Sequence, residues 1–337
     1  MVIIIVAEIQ RQPRFKPGEN CTDLAHKPAA ARVASICVSG PTPETIETLK
    51  RALQAALEGR RYSDGETSDA TDPPRTKLQG KRGIHNYVLP LMVDKIRPAT
   101  GNRFGLEIEV ASVEGTGFLV ANGRGLGITA RHVALAMQDA APPVWDILPQ
   151  WGKSEVLVGV AGFLQQHGGV PGSPILAWDL HPTEDLALFR LSDDNYFSEY
   201  TIQPQPQFGA TQYDLWGYPD DVRYDRFTDG SRMLQVPLVY SGGYIRRGVA
   251  HELPIDDVQG RSFYELNTPA GSCASGSAVS LKWSPGQVIG VYVGERRNET
   301  GTFSVGYATT SQAIAARWPA LIGNGDMSKL CPISSKA

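Results

Sequence analysis

Three side chains able to carry out acyl transfer, His132, Asp185 and Ser275, follow one another along this 337-residue chain, each beside a short apolar run. A serine hydroxyl is a poor nucleophile near neutral pH. A neighbouring imidazole can take its proton, and a carboxylate can fix the tautomer of that imidazole. Folded together, the three would need no metal and no organic cofactor. Taken singly, each has an ordinary structural reading: a histidine after a strand is usually structural, an acid often caps a strand, and Ser-Gly-Ser is commonplace in loops. Their order and surroundings carry the functional reading.

His132 ends the block Leu126-Gly127-Ile128-Thr129-Ala130-Arg131-His132, itself preceded by Gly115-Thr116-Gly117-Phe118-Leu119-Val120. The pattern is a strand, a turn and a second strand closing on the histidine. Asp185 precedes Leu186-Ala187-Leu188-Phe189-Arg190-Leu191, an alternating apolar strand. Ser275 lies in Gly271-Ser272-Cys273-Ala274-Ser275-Gly276-Ser277-Ala278-Val279, ahead of a hairpin pattern ending at Val288-Ile289-Gly290-Val291.

These elements sit among many others of the same kind. Runs at 87–96, 106–113, 116–120, 125–129, 156–160, 186–191 and 213–216 read as short strands between turns, followed by 233–240, 262–266, 277–281, 288–293 and 303–307. Such spacing predicts an all-β barrel or sandwich. A helix is predicted over 311–321. Residues 1–80 read differently: β-branched runs at 2–6 and 33–38, then a helix with Thr42 as N-cap, Pro43 at its first position and Gly59 at its stop. From Ser63 to Gly83 the composition is that of a solvated linker. The expected organisation is a small α/β appendage and linker (1–80), one large β unit (81–324) and a polar tail (325–337).

The three ordered blocks resemble those of trypsin-like serine peptidases: a Gly-x-Gly-Phe strand before Thr-Ala-x-His, an Asp-Leu-Ala-Leu strand, and a Gly-x-Ser-Gly-[Gly/Ser]-Pro loop. Leu215-Trp216-Gly217-Tyr218-Pro219 is similar to a turn in bacterial members. The resemblance spans roughly residues 86 to 322 and implies a chymotrypsin-like double six-stranded β-barrel. One barrel would supply His132 and Asp185, the other Ser275. It further implies an oxyanion hole from the backbone N–H groups of Cys273 and Ser275. Pro269 would lie at the base of the primary pocket, Tyr292 to Glu295 along its wall and Gly306 on its far strand. Residues Val291, Tyr292 and Val293 would pair with an extended protein or peptide substrate by strand addition.

Two departures stand out: Cys273 replaces the glycine of the family pattern, and Ala278 its proline. A Cβ at 273 is expected to restrict the turn that aims the N–H into the hole, so an activating partner protein is one implied requirement. Cys273 as nucleophile, and a silent peptidase-like binding module, remain open alternatives. An α/β-hydrolase elbow needs the serine ahead of acid and histidine, the reverse of the order here.

Bulk properties narrow the partners. A formal charge of −3, from 32 Lys and Arg against 35 Asp and Glu, offers no basic field for nucleic acid. No run approaches the ~20 apolar residues of a membrane helix. The first seven residues lack the basic flank of an export signal, and the four cysteines (21, 37, 273, 331) lack metal or disulfide spacing. A cytoplasmic setting is expected. His26, His85, His167, His181 and His251 read as surface or core residues rather than metal ligands.

Overall fold

The computed structural model describes residue 84 and residues 87–315, apart from 99–105, 122–124, 148–149, 151–153, 163–171, 192–197, 220–223, 227–231, 235–237, 298–299 and 301–303. The appendage, linker and tail expected at 1–80 and 325–337 lie outside the described residues, as do 316–321 of the expected final helix.

The fold is two antiparallel β-barrels. In the first, β1 (Val88–Pro98), β2 (Leu106–Leu119), β3 (Leu126–Thr129), β4 (Val156–Gly162), β5 (Gly172–Leu180) and β6 (Ala187–Leu191) close in the order β1-β2-β3-β6-β5-β4. A two-residue strand, β7 (Thr201–Ile202), then leads into β8 (Gln212–Gly217), and the small hairpin β9 (Tyr224–Arg226) and β10 (Arg232–Leu234) follows. The second barrel adds β11 (Val239–Val249), β12 (Phe263–Leu266), β13 (Ala278–Leu281), β14 (Ser284–Arg297) and β15 (Ser304–Thr310). Its order is β13-β8-β11-β12-β15-β14, closed by pairing of β13 with β14, while β7 adds to β14 in parallel. Three helices are described: α1 (Arg131–Ala140), α2 (Val144–Ile147) and α3 (Ser311–Ala315). This is the chymotrypsin-like double barrel that the sequence motifs imply.

Closure satisfies the backbone groups that an open sheet edge would leave unpaired. The interior is mostly apolar: Phe118 and Phe189 of the first barrel have no exposed surface, and each such side chain contributes roughly 1.5–3 kcal/mol by burial.

Several expected strands change form. The segments at 106–113 and 116–120 are one strand, because Glu114 and Ala111 are the extra residues of two bulges opposite β1, where Leu91 pairs with Gly115 and Met92 with Val113. A bulge breaks the apolar alternation without ending the strand. β5 and β7 escaped notice because Pro174 and Asp179 interrupt one and the other has two residues. The expected strand at 233–240 divides between β10 and a β11 that runs on through Gly242-Gly243.

The barrels are pinned together near the histidine block. Tyr218 is fully buried, its hydroxyl donates to the Val88 carbonyl at 2.9 Å, and its N–H donates to Thr116 Oγ1 at 3.0 Å. Tyr200, on the connection between barrels, packs edge-on against Tyr87 and Phe118 with ring centroids 4.9 and 5.5 Å away.

Candidate active site

β3 ends at Thr129, and α1 begins at once, with His132 in its first turn. Helix N-termini expose backbone N–H groups with no partner inside the helix. Ala130, at the N-cap, offers no side-chain acceptor. Asp185 supplies one from the loop before β6: its Oδ1 accepts the His132 N–H at 3.0 Å, and its Oδ2 lies 2.7 Å from His132 Nδ1. One buried carboxylate thus caps the helix and orients the imidazole. Because a carboxylate only accepts, the ring proton sits on Nδ1 and leaves Nε2 as the basic nitrogen. Asp185 has no exposed surface, while the His132 side chain is 21% exposed, so the pair presents one accessible edge.

The loop carrying Asp185 is held from both sides. His181 Nδ1 accepts N–H groups of Thr183 and Glu184 at 3.3 and 3.0 Å. Burial lowers the pKa of His181, against the opposing pull of Asp179 and a backbone hydrogen bond with Ala313. From the second barrel, Gln259 Nε2 donates to the carbonyls of His181 and Glu184, and Glu184 Oε2 accepts the N–H groups of Arg261 and Ser262.

Ser275 is brought to the same junction by its backbone. The Thr116 N–H donates to the Ser275 carbonyl at 2.9 Å. A Cβ built on Gly115 would lie 2.7 Å from Val133, the neighbour of His132, and 3.1 Å from that same carbonyl. Glycine at 115 therefore lets the two barrels close on each other between the histidine helix and the serine loop.

Thr116 also fixes the turn before the serine. Its hydroxyl donates to the Cys273 carbonyl at 3.1 Å while accepting from Tyr218 N–H. In this turn Ala274 N–H donates to the Gly271 carbonyl at 3.3 Å, and Cys273 has φ +62°. A positive φ at the third position is the type II pattern, ordinarily met by glycine. The cysteine adopts it nonetheless, at a cost of roughly 1–2 kcal/mol, with its Sγ 3.8 Å from the Val113 carbonyl. Gly276 follows at φ +92°, where a Cβ would fall 1.9 Å from the Thr116 carbonyl, so only glycine fits.

The expected pocket residues are placed less simply. Val291 and Val293 are buried. Val291 is paired with Ala278 on one side and Thr309 on the other. Tyr292 N–H donates to the Ser277 carbonyl and its own carbonyl accepts from Gly276 N–H, at 2.9 and 2.7 Å, while β15 takes its other edge. The expected pairing of Val291 and Tyr292 with a substrate strand is therefore corrected: their backbone edges are already occupied by β13, β15 and the Gly276-Ser277 segment. Pro269 is half-buried on the segment entering the serine loop, and Gly306 lies on β15 opposite Glu295. The Glu295 carboxylate is engaged by Arg297 at 2.8 Å.

Thr116, Glu184, Gln259 and His181 hold these loops in place, roles that no local motif states. The sequence signal available for Thr116 was its place inside Gly115-Thr116-Gly117; the others act through contacts distant in the chain. Among the described residues, no group of three or more His, Cys, Asp or Glu side chains could hold a metal ion, and no helix is long and apolar enough to cross a membrane.

No family model and no curated protein matches the chain. Among solved structures, it is similar to the MamO protease domain from Magnetospirillum magneticum in its apo form, at 13% identity and TM-score 0.42, over 69% of this chain and 96% of that one. It is similar to the HtrA-type protease AlgW with decapeptide, at 13% identity and TM-score 0.45, over 68% of this chain and 63% of AlgW. The Rv3671c protease from M. tuberculosis in its active form is 16% identical, with TM-score 0.42, over 76% of this chain and 88% of that one. The double barrel itself stands on the strand order and closure described above.

Proposed function

We propose that this chain is a serine endopeptidase in which His132, Asp185 and Ser275 form the catalytic triad. The observation that carries the reading is the two-point grip of the Asp185 carboxylate on His132, at 2.7 and 3.0 Å. That grip leaves Nε2 as base on the accessible edge. The Ser275 loop, held by Thr116 at the same junction, supports the assignment of the nucleophile.

In this reading Ser275 Oγ forms a bond to the scissile carbonyl carbon as its proton passes to His132 Nε2. The carbonyl oxygen becomes an oxyanion, held by the backbone N–H groups of Cys273 and Ser275. Such donors are each worth about 10²- to 10³-fold in rate. The C–N bond then breaks, the leaving amine takes the proton from His132, and water hydrolyses the acyl-enzyme through the same base. Asp185 holds the tautomer and stabilises the transient imidazolium. The left-handed backbone at Cys273 supports a hole formed at rest, without an activating partner protein. The peptidase unit is taken as residues 81–324, with 1–80 as appendage and 325–337 as tail, in a cytoplasmic protein acting on protein or peptide substrates.

Labelling of the purified chain by a fluorophosphonate probe tests this directly. Wild type and Cys273→Ala are expected to label at once, and Ser275→Ala not at all. Labelling that survives in Ser275→Ala, or iodoacetamide inactivation of a chain that never takes the probe, would refute the assignment.

A further inference from the structure

Behind the serine loop, where β14, β15 and the segment leading to Gly271 meet, Tyr292 packs in a core cluster that includes Tyr213, Leu266, Ala274 and Ala308. Tyr292 is joined through its backbone to Gly276 and Ser277, so its side chain starts directly beside the nucleophile loop. The ring has no exposed surface. It crosses to the opposite wall, where its hydroxyl accepts the Ala270 N–H at 3.0 Å. On the third side, a Cβ built at Gly306 would lie 2.8 Å from Tyr292 Cε2 and 3.0 Å from the Thr268 carbonyl. Not even a methyl group has room there. A second ring braces the same wall, since the Tyr213 hydroxyl donates to the Thr268 carbonyl at 3.2 Å.

We infer that Tyr292 is a specificity-determining plug that limits the residue on the acyl side of the scissile bond to glycine, alanine or serine. The inference rests on the peptidase reading and adds the substrate class. A long apolar side chain would have to displace a buried ring together with its hydrogen bond. A basic one would meet Glu295 already paired with Arg297.

The test uses the full-length chain and peptides of fixed flanks varied at the acyl-side residue, with fluorophosphonate labelling in parallel. Wild type should cleave after Gly, Ala and Ser, with kcat/KM about 10²-fold lower or worse for Leu, Phe, Arg and Lys. Tyr292→Ala should raise kcat/KM for Leu or Phe by about 10-fold or more. Tyr292→Phe keeps the ring and should keep the small-residue preference. Wild type that labels yet cleaves after Leu, Phe, Arg or Lys as readily as after Ala overturns the plug and leaves the peptidase reading intact. Absence of both labelling and cleavage removes both. If Tyr292→Ala fails to fold, the wild-type and Tyr292→Phe profiles still decide the matter.

Discussion

Replacing Thr116 by valine keeps the shape of the side chain and removes one hydroxyl that serves two loops. Two hydrogen bonds go with it: the 3.1 Å donation to the Cys273 carbonyl and the 3.0 Å acceptance from Tyr218 N–H. Tyr218 is fully buried, so its N–H is left without an acceptor, a loss of about 1–3 kcal/mol; with the bond to Cys273 the total is about 2–4 kcal/mol. For a unit of this size each kcal/mol moves the melting temperature by roughly 2–4 °C, giving a fall of about 5–15 °C. The catalytic effect is separate. The freed Cys273 carbonyl no longer fixes the turn that carries the proposed oxyanion donor, and losing part of one donor's contribution should slow fluorophosphonate labelling by about 10- to 100-fold. Thr116→Ser, which keeps the hydroxyl, should stay close to wild type in both measurements. Labelling of Thr116→Val at the wild-type rate would refute the clamp.

Two further outcomes follow from the same junction. Gly276→Ala sets a Cβ 1.9 Å from the Thr116 carbonyl at φ +92°, a clash of the new methyl with a backbone oxygen that should remove more than about 4 kcal/mol or expel the loop; a soluble, fully labelling variant would contradict this placement. The pKa of His181 is lowered by burial from its ordinary value of 6.5, so the unfolded chain binds more protons just below that value and stability must fall as pH drops from there through the lower folded value. The urea midpoint of wild type should decline over that acid range, and His181→Asn, which cannot titrate, should show a shallower decline; equal slopes would show that the loop does not depend on a neutral His181.

Much of the site was legible because short-range chemistry writes itself locally. The strand ending at Thr129 and the apolar strand after Asp185 each announce a side chain of the proposed triad by position, and Gly276 marks a backbone that nothing larger can follow. Cys273 is the residue whose local pattern says least. Its Cβ is expected to restrict the turn, and the structure holds it at φ +62°, with Thr116 gripping its carbonyl across the barrel junction. Bulges explain why one strand read as two: an extra residue reverses the alternation on which sequence reading depends.

What the sequence alone determined is the list of candidate side chains, their order and most of the strands that carry them, since alternation and turn chemistry act over a few residues. Only the tertiary structure decided how those parts are held. The cap of α1 comes from Asp185, 53 residues away, the Ser275 loop is clamped by Thr116 from the other barrel, and Tyr292 packs behind it. Each is a contact between segments that barrel closure alone brings together, and the energy of such contacts depends on burial and alignment that local pattern does not encode.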